Sequence, residues 1–177
     1  TDNTIAWYEN DGNSDPTWTA YDIVTNASGA RTIYVADMDG DGDLDIVSAS
    51  KGDDKIAWYE NNGDGTSWTT AVIATSAQDA IGVHVADMDG DGDLDIVSAS
   101  EGDNTIAWYE NDGNSDPTWV ASDIATSAQG AHGVSVGDMD CDGDLDIVSA
   151  SYGDNTIAWY ENDGNSNPTW TASDIVT

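Results

Sequence analysis

Three short segments of this 177-residue chain carry residues whose types and spacing point to metal chemistry. Residues 37–45, 87–95 and 138–146 each read Asp-Met-Asp-x-Asp-Gly-Asp-Leu-Asp, where x is Gly40, Gly90 or Cys141. They hold fifteen of the 35 Asp and Glu in a chain with 3 Lys and Arg and a formal net charge of −32. Carboxylates set so close together repel one another unless a cation lies among them. Gly42, Gly92 and Gly143 at the sixth position permit a sharp turn around an ion. The seventh position is expected to donate a backbone carbonyl, and the ninth Asp to close the shell as the next strand begins. Hard oxygen donors in this number suit Ca²⁺, which takes about six to eight oxygens in a flexible shell; Mg²⁺ wants strict octahedral geometry and keeps its waters. The predicted ligands are Asp37, Asp39, Asp41, Asp43 and Asp45, then Asp87, Asp89, Asp91, Asp93 and Asp95, then Asp138, Asp140, Asp142, Asp144 and Asp146. The expectation is about three Ca²⁺ per chain.

The first half of each loop also fits an EF-hand, but that site needs an acidic twelfth residue and flanking helices. The twelfth positions here are Ser48, Ser98 and Ser149, and the flanks are strand-like. An EF-hand is therefore excluded. Other chemistries fare no better. His84 and His132 occupy different positions of the repeat described below, as a repeated active site would not, and neither has an obvious Ser or Cys partner with an orienting acid. Glu9, Glu60, Glu110 and Glu161 recur after every Trp-Tyr pair, which argues for a structural role over glycosidase chemistry. No phosphate-binding Gly-rich loop with a Lys is present. The acidity makes nucleic acid and anionic membranes poor partners. No catalytic residue is predicted, and the chain is expected not to be an enzyme.

The elements that must position these loops repeat about every fifty residues. The string Ile-Ala-Trp-Tyr-Glu-Asn begins at Ile5, Ile56, Ile106 and Ile157, and Asp-Leu-Asp-Ile-Val-Ser-Ala-Ser follows from Asp43, Asp93 and Asp144. Each full unit shows four short segments rich in β-branched and aromatic residues, separated by Gly, Asn and Asp. In the second unit these are Val83–Ala86, Asp95–Ser100, Ile106–Glu110 and Ser122–Thr126. Asp11-Gly12, Asn62-Gly63, Asp112-Gly113 and Asp163-Gly164 supply turn residues that accept positive φ. Four antiparallel strands per unit, named A to D with the acidic loop between A and B, predict an all-β fold of propeller blades. Residues 1–30 supply only strands C and D, a half blade; 31–80, 81–131 and 132–177 each supply a full blade. Three and a half blades are too few to close a ring, because propellers use about four to eight. Self-association, the remainder of a longer propeller, or an open stack of blades would complete the structure.

The acidic loop set between two strands, recurring at this period over essentially the whole chain, resembles the FG-GAP/VCBS repeats of integrin-like β-propellers. That resemblance implies Ca²⁺ binding in the loop joining strands A and B, carried here onto the three aspartate sets. It also implies an extracellular or cell-surface setting and a role in adhesion or ligand recognition. The chain departs from the family name, since it has no Phe for the Phe-Gly pair. Eight Trp fall two per repeat: Trp7, Trp58, Trp108 and Trp159 inside strand C, and Trp18, Trp68, Trp119 and Trp170 after the C–D turn. Large aromatics fill the wedge between blades, and core is the expected place for both sets. A lectin-like use of inter-blade Trp pockets for a glycan ligand is the alternative. Cys141 is the single cysteine, so no intrachain disulfide can form. No apolar run approaches the ~20 residues of a membrane span. The chain opens without a basic and apolar leader, as a mature form or a fragment would. Asn26-Ala27-Ser28 is a glycosylation sequon that matters only in a eukaryotic secretory setting.

Overall fold

The computed structural model describes residues 2–177, which form fourteen β-strands and no helix. No helix long and apolar enough to cross a membrane is found among them. The strands are β1 (Ile5–Asn10), β2 (Trp18–Val24), β3 (Ala30–Ala36), β4 (Asp45–Ser50), β5 (Lys55–Asn61), β6 (Trp68–Ala74) and β7 (Ala80–Ala86). They continue as β8 (Asp95–Ser100), β9 (Thr105–Asn111), β10 (Trp119–Ala125), β11 (Ala131–Gly137), β12 (Asp146–Ser151), β13 (Thr156–Asn162) and β14 (Trp170–Val176). They make one two-stranded sheet, β1-β2, and three four-stranded antiparallel meanders, β3-β4-β5-β6, β7-β8-β9-β10 and β11-β12-β13-β14. The first strands of successive sheets lie side by side, β3 against β7 and β7 against β11. This is the arrangement of propeller blades around an axis, here an open arc of partial-propeller form.

Two strands begin three residues before the sequence expectation, and the other boundaries agree with it to within one residue. Strand D begins at the Trp, because Trp119 pairs with Asn111 and Trp170 with Asn162 at the mouth of the C–D turn. Strand A begins three residues early, at Ala80, where a register shift between Ala80 and Gly82 lets both residues pair with β8. A side chain at Gly82 would meet the carbonyl oxygen of His132 at 3.0 Å, so the close approach of β7 to β11 needs a glycine there.

The core lies in three seams between sheets, built by alternation along each strand. In the second seam Val47, Ile56 and Trp58 of one blade meet Val83, Val85, Ile96 and Tyr109 of the next. In the third, Val97, Ile106 and Trp108 meet Ile147, Ala158 and Tyr160. The first joins Ile5 to Ile46, Ala57 and Tyr59. Each blade therefore has a leading face and a trailing face of fixed composition. Strands B and C, covered on both sides, are buried nearly throughout in the second full blade.

Candidate metal centre

The three acidic loops join β3 to β4, β7 to β8 and β11 to β12, all at the same end of the blades. Their fold is set by carboxylates accepting hydrogen bonds from nearby backbone N–H groups. In the second loop Asp87 accepts from Gly90 (2.8 Å), Asp91 (3.1 Å) and Gly92 (3.0 Å). In the third, Asp138 accepts from Cys141 (2.7 Å), Asp142 (3.2 Å) and Gly143 (3.2 Å). Cys141 takes the left-handed conformation (φ 68°) of its counterparts Gly40 and Gly90.

The ninth aspartate anchors the loop to the sheet. Asp45 accepts from Met38 N at 3.0 Å with one oxygen and from Asn61 N at 2.8 Å with the other. Asp95 repeats this with Met88 and Asn111, and Asp146 with Met139 and Asn162. All three carboxylates are buried. Each ties loop, strand B and the end of strand C into one unit. The next blade adds a further tie, since the Asn111 side chain donates to Met38 O (3.3 Å) and Asn162 to Met88 O (2.9 Å).

Three carboxylate triplets result, each with ligand atoms within 4.8 Å of one another: Asp37, Asp39 and Asp45; Asp87, Asp89 and Asp91; Asp138, Asp140 and Asp142. Each could hold a metal ion. Asp41 and Asp43 stand outside the first triplet, Asp93 and Asp95 outside the second, and Asp144 and Asp146 outside the third. The seventh-position side chains face the C–D turn instead. A Cβ placed on Gly113 would collide with Asp93 Oδ2, and one on Gly164 with Asp144 Oδ2.

The electrostatics favour a cation. Desolvation, helped by the charges of Asp41 and Asp37, pushes the Asp39 carboxyl above the ordinary range, against the pull of the Asp41 N–H. Asp89 and Asp140 are raised in the same way. Burial raises Asp45 and lifts Asp95 to about 7. Asp37 Oδ1 is buried without a hydrogen-bond partner. Like charges so spaced repel by about 3 kcal/mol per pair at an effective dielectric of ~20. An all-oxygen donor set with an orphaned oxygen fits a hard divalent cation.

One contribution was not read from the loop itself. Glu60 sits in the field of Asp39, Asp45 and Asp41, and burial followed by these charges raises its carboxyl. Glu110 in turn adds to the rise at Asp89. The signal was in the sequence as a constant offset of fifteen residues from Asp45 and Asp95.

The remaining candidates fall into the packing. Trp58 and Trp108 are buried, and Trp7 and Trp159 partly so. Trp119 meets Trp58 edge-on at 6.5 Å and Trp170 meets Trp108 at 6.4 Å, each reaching back to the preceding blade. His84 lies half-buried beside Tyr34 (4.9 Å), and His132 is exposed beside Tyr152 (6.0 Å).

A comparison with curated proteins finds no match. A family model described as FG-GAP-like repeat matches three times, over residues 1–48, 37–98 and 87–149. The second and third matched units each run from one acidic loop past the next, so the loop and its flanking strands carry the likeness. With matches spanning residues 1–149 and blades of four antiparallel strands beneath them, the chain belongs to the FG-GAP-like repeat family.

Proposed function

We propose that this chain is a calcium-binding β-propeller repeat module with a structural, adhesive or assembly role in an extracellular or cell-surface protein, and that it does no catalysis of its own. The observation behind this reading is the threefold recurrence of carboxylate triplets at one end of the blades. Bound Ca²⁺ would offset two of the three charges of each triplet and cancel six of the 32 net negative charges. The protein's own residues do the rest. The backbone N–H groups hold Asp37, Asp87 and Asp138 in place, and Asp45, Asp95 and Asp146 fasten each loop to the end of strand C. Millimolar calcium outside cells would keep such loops filled, and FG-GAP repeats are typical of that setting.

Calorimetric titration of the chelator-treated chain with Ca²⁺, beside metal analysis of the purified protein, tests the reading. About three ions per chain are expected, with Mg²⁺ binding far more weakly. Purified protein free of metal, with no heat on adding calcium, would sink it.

A lectin-like reading has one observation in its favour. Tyr8 and Trp18 stand exposed on the same face of the β1-β2 sheet, as a sugar-stacking platform would. A glycan array in calcium, with Trp18→Ala as control, checks it; binding that survives the substitution argues against this face.

A further inference from the structure

At the end of the blades away from the acidic loops, two positions of the repeat change in every blade. Arg31, Ile81 and His132 stand near the start of strand A, each directly after a matching Ala30, Ala80 or Ala131. Lys51, Glu101 and Tyr152 follow strand B, each between a Ser and a Gly that do not vary. A residue needed only to build a blade would recur like its neighbours. The divergent residues instead gather at one place. Arg31, Lys51, Ile81, Glu101 and His132, with Thr32, line a pocket of about 270 Å³. Its walls come from three consecutive full blades, so it straddles the middle one, whose Ile81 (8% exposed) is the apolar part of the lining. Two of the 3 Lys and Arg in a chain of net charge −32 therefore share one pocket. Lys51 is matched within the fold, since its Nζ lies 2.6 Å from Glu101 and 3.8 Å from Asp79. Lys55 pairs with Asp53 at 2.9 Å. Arg31 takes part in none of the ion pairs among the described residues. Glu101 raises the Lys51 ammonium above its ordinary pKa, and the nearby Arg31 charge opposes that rise. The guanidinium is thus repelled by one neighbour and neutralised by none.

We infer that this pocket binds a carboxylate, seated on the Arg31 guanidinium with the apolar part of its carrier against Ile81. Arg presents a planar fork of N–H donors that meets a carboxylate with two parallel hydrogen bonds. The Thr32 hydroxyl and the His132 imidazole can each donate one more. Both oxygens of Glu101 are occupied, one by Lys51 and the other by the Tyr152 hydroxyl, so Glu101 does not compete for Arg31. One unmatched guanidinium suits one negative charge. A polyanion would be repelled by the net charge of −32, so the ligand is a single acid group on an otherwise uncharged carrier. A small organic acid supplies such a group, and so does a Glu side chain in an exposed peptide.

Proton NMR of the His ring signals tests this, because the chain has 2 His and only His132 lines the pocket. His84, half-buried beside Tyr34, is the internal reference. The probes are N-acetyl-glutamic acid methylamide, its uncharged glutamine counterpart, and butyrate, each at fixed pH with calcium in excess. A saturable shift of the His132 signals is expected with a carboxylate probe, with none from the glutamine probe and none at His84. Butyrate acting as well as the glutamic acid probe, or better, marks a small free acid as the ligand; the reverse marks an acidic side chain. Arg31→Gln should weaken binding about tenfold or more, as loss of a charge-assisted bidentate pair does. Arg31→Lys keeps the charge without the fork and should weaken it less. Arg31 is exposed, so both variants keep the fold, which melting curves verify. No saturable shift with either carboxylate, an equal response to the glutamine probe, or full affinity in Arg31→Gln would each overturn the proposal. The pocket and the acidic loops lie at opposite ends of the blades, so either can fail while the other stands.

Discussion

The two ends of the blades treat charge in opposite ways. At the loop end the same carboxylates recur in every blade, and Asp39, Asp89 and Asp140 are all pushed toward their neutral forms. At the other end, where strand B runs into strand C, the equivalent residues are Lys51, Glu101 and Tyr152. There the repeat is broken, and the residues complement one another across two seams. Lys51 Nζ lies 2.6 Å from Glu101 Oε2, and the Tyr152 hydroxyl donates to the other Glu101 oxygen. The Lys51 ammonium, then the Tyr152 hydroxyl, hold Glu101 below the usual carboxylate range. Residues that vary from blade to blade can satisfy one another across a seam. A charge copied identically into every blade finds only its own kind, and the cations proposed above would match it from outside the chain.

Removing the outside partner gives the largest expected effect. At a free calcium level about a hundred times Kd, each site adds about 2.7 kcal/mol, so three sites add roughly 8 kcal/mol. Chelation should lower Tm by tens of degrees, at about 2–4 °C per kcal/mol for a domain of this size. A melting curve unmoved by chelator would erase the contrast between the ends. Next comes Asp95→Asn. In calcium it removes one of the two backbone hydrogen bonds that fasten the loop beside the second triplet, and part of that site's share with it, about 2–3 kcal/mol together. In chelator the loss should shrink to about 1 kcal/mol or less, because a buried charge leaves with the bond. Thermal melts of both proteins in both conditions measure the difference.

A smaller effect sharpens the comparison by its sign. The Asp95 carboxyl is raised from 3.8 to about 7, so without metal the folded chain binds more protons than the unfolded chain across that window. The stability this gives is full below pH 3.8 and is lost as pH rises through about 7. In chelator, then, Tm should fall as pH rises from mildly acidic to neutral. In calcium it should rise over the same range, since the ligands must be deprotonated to bind. Slopes of the same sign in both conditions would contradict the loop-end account. The smallest effect belongs to the opposite end. Glu101→Gln should cost about 1 kcal/mol, typical of a partly exposed ion pair with an added hydrogen bond, and less in high salt. Its size should be the same with and without calcium.

Much of this was readable from the residues. The DIVSAS strings became β4, β8 and β12 in full, because period-2 alternation with β-branched residues is a local signal. The three aspartate clusters were legible because their spacing lies within nine residues. What escaped depends on partners far along the chain. That Asp45 is buried follows from Asn61 N–H, sixteen residues away on β5. The wedge role of Trp119 needed Trp58 from the preceding blade. The Lys51–Glu101–Tyr152 chain joins three different repeats, and no window within one repeat contains it.

The uniform seams make chain length adjustable in whole blades. If residues 81–131 were excised, Ala80 would run into His132, and Val134, Val136, Ile147, Ala158, Tyr160 and Trp170 would arrive where Val83, Val85, Ile96, Ala107, Tyr109 and Trp119 now stand. The trailing face of the first full blade would meet the same side chains as before. Recombination between copies of the repeat can therefore lengthen or shorten such a protein without redesigning any joint.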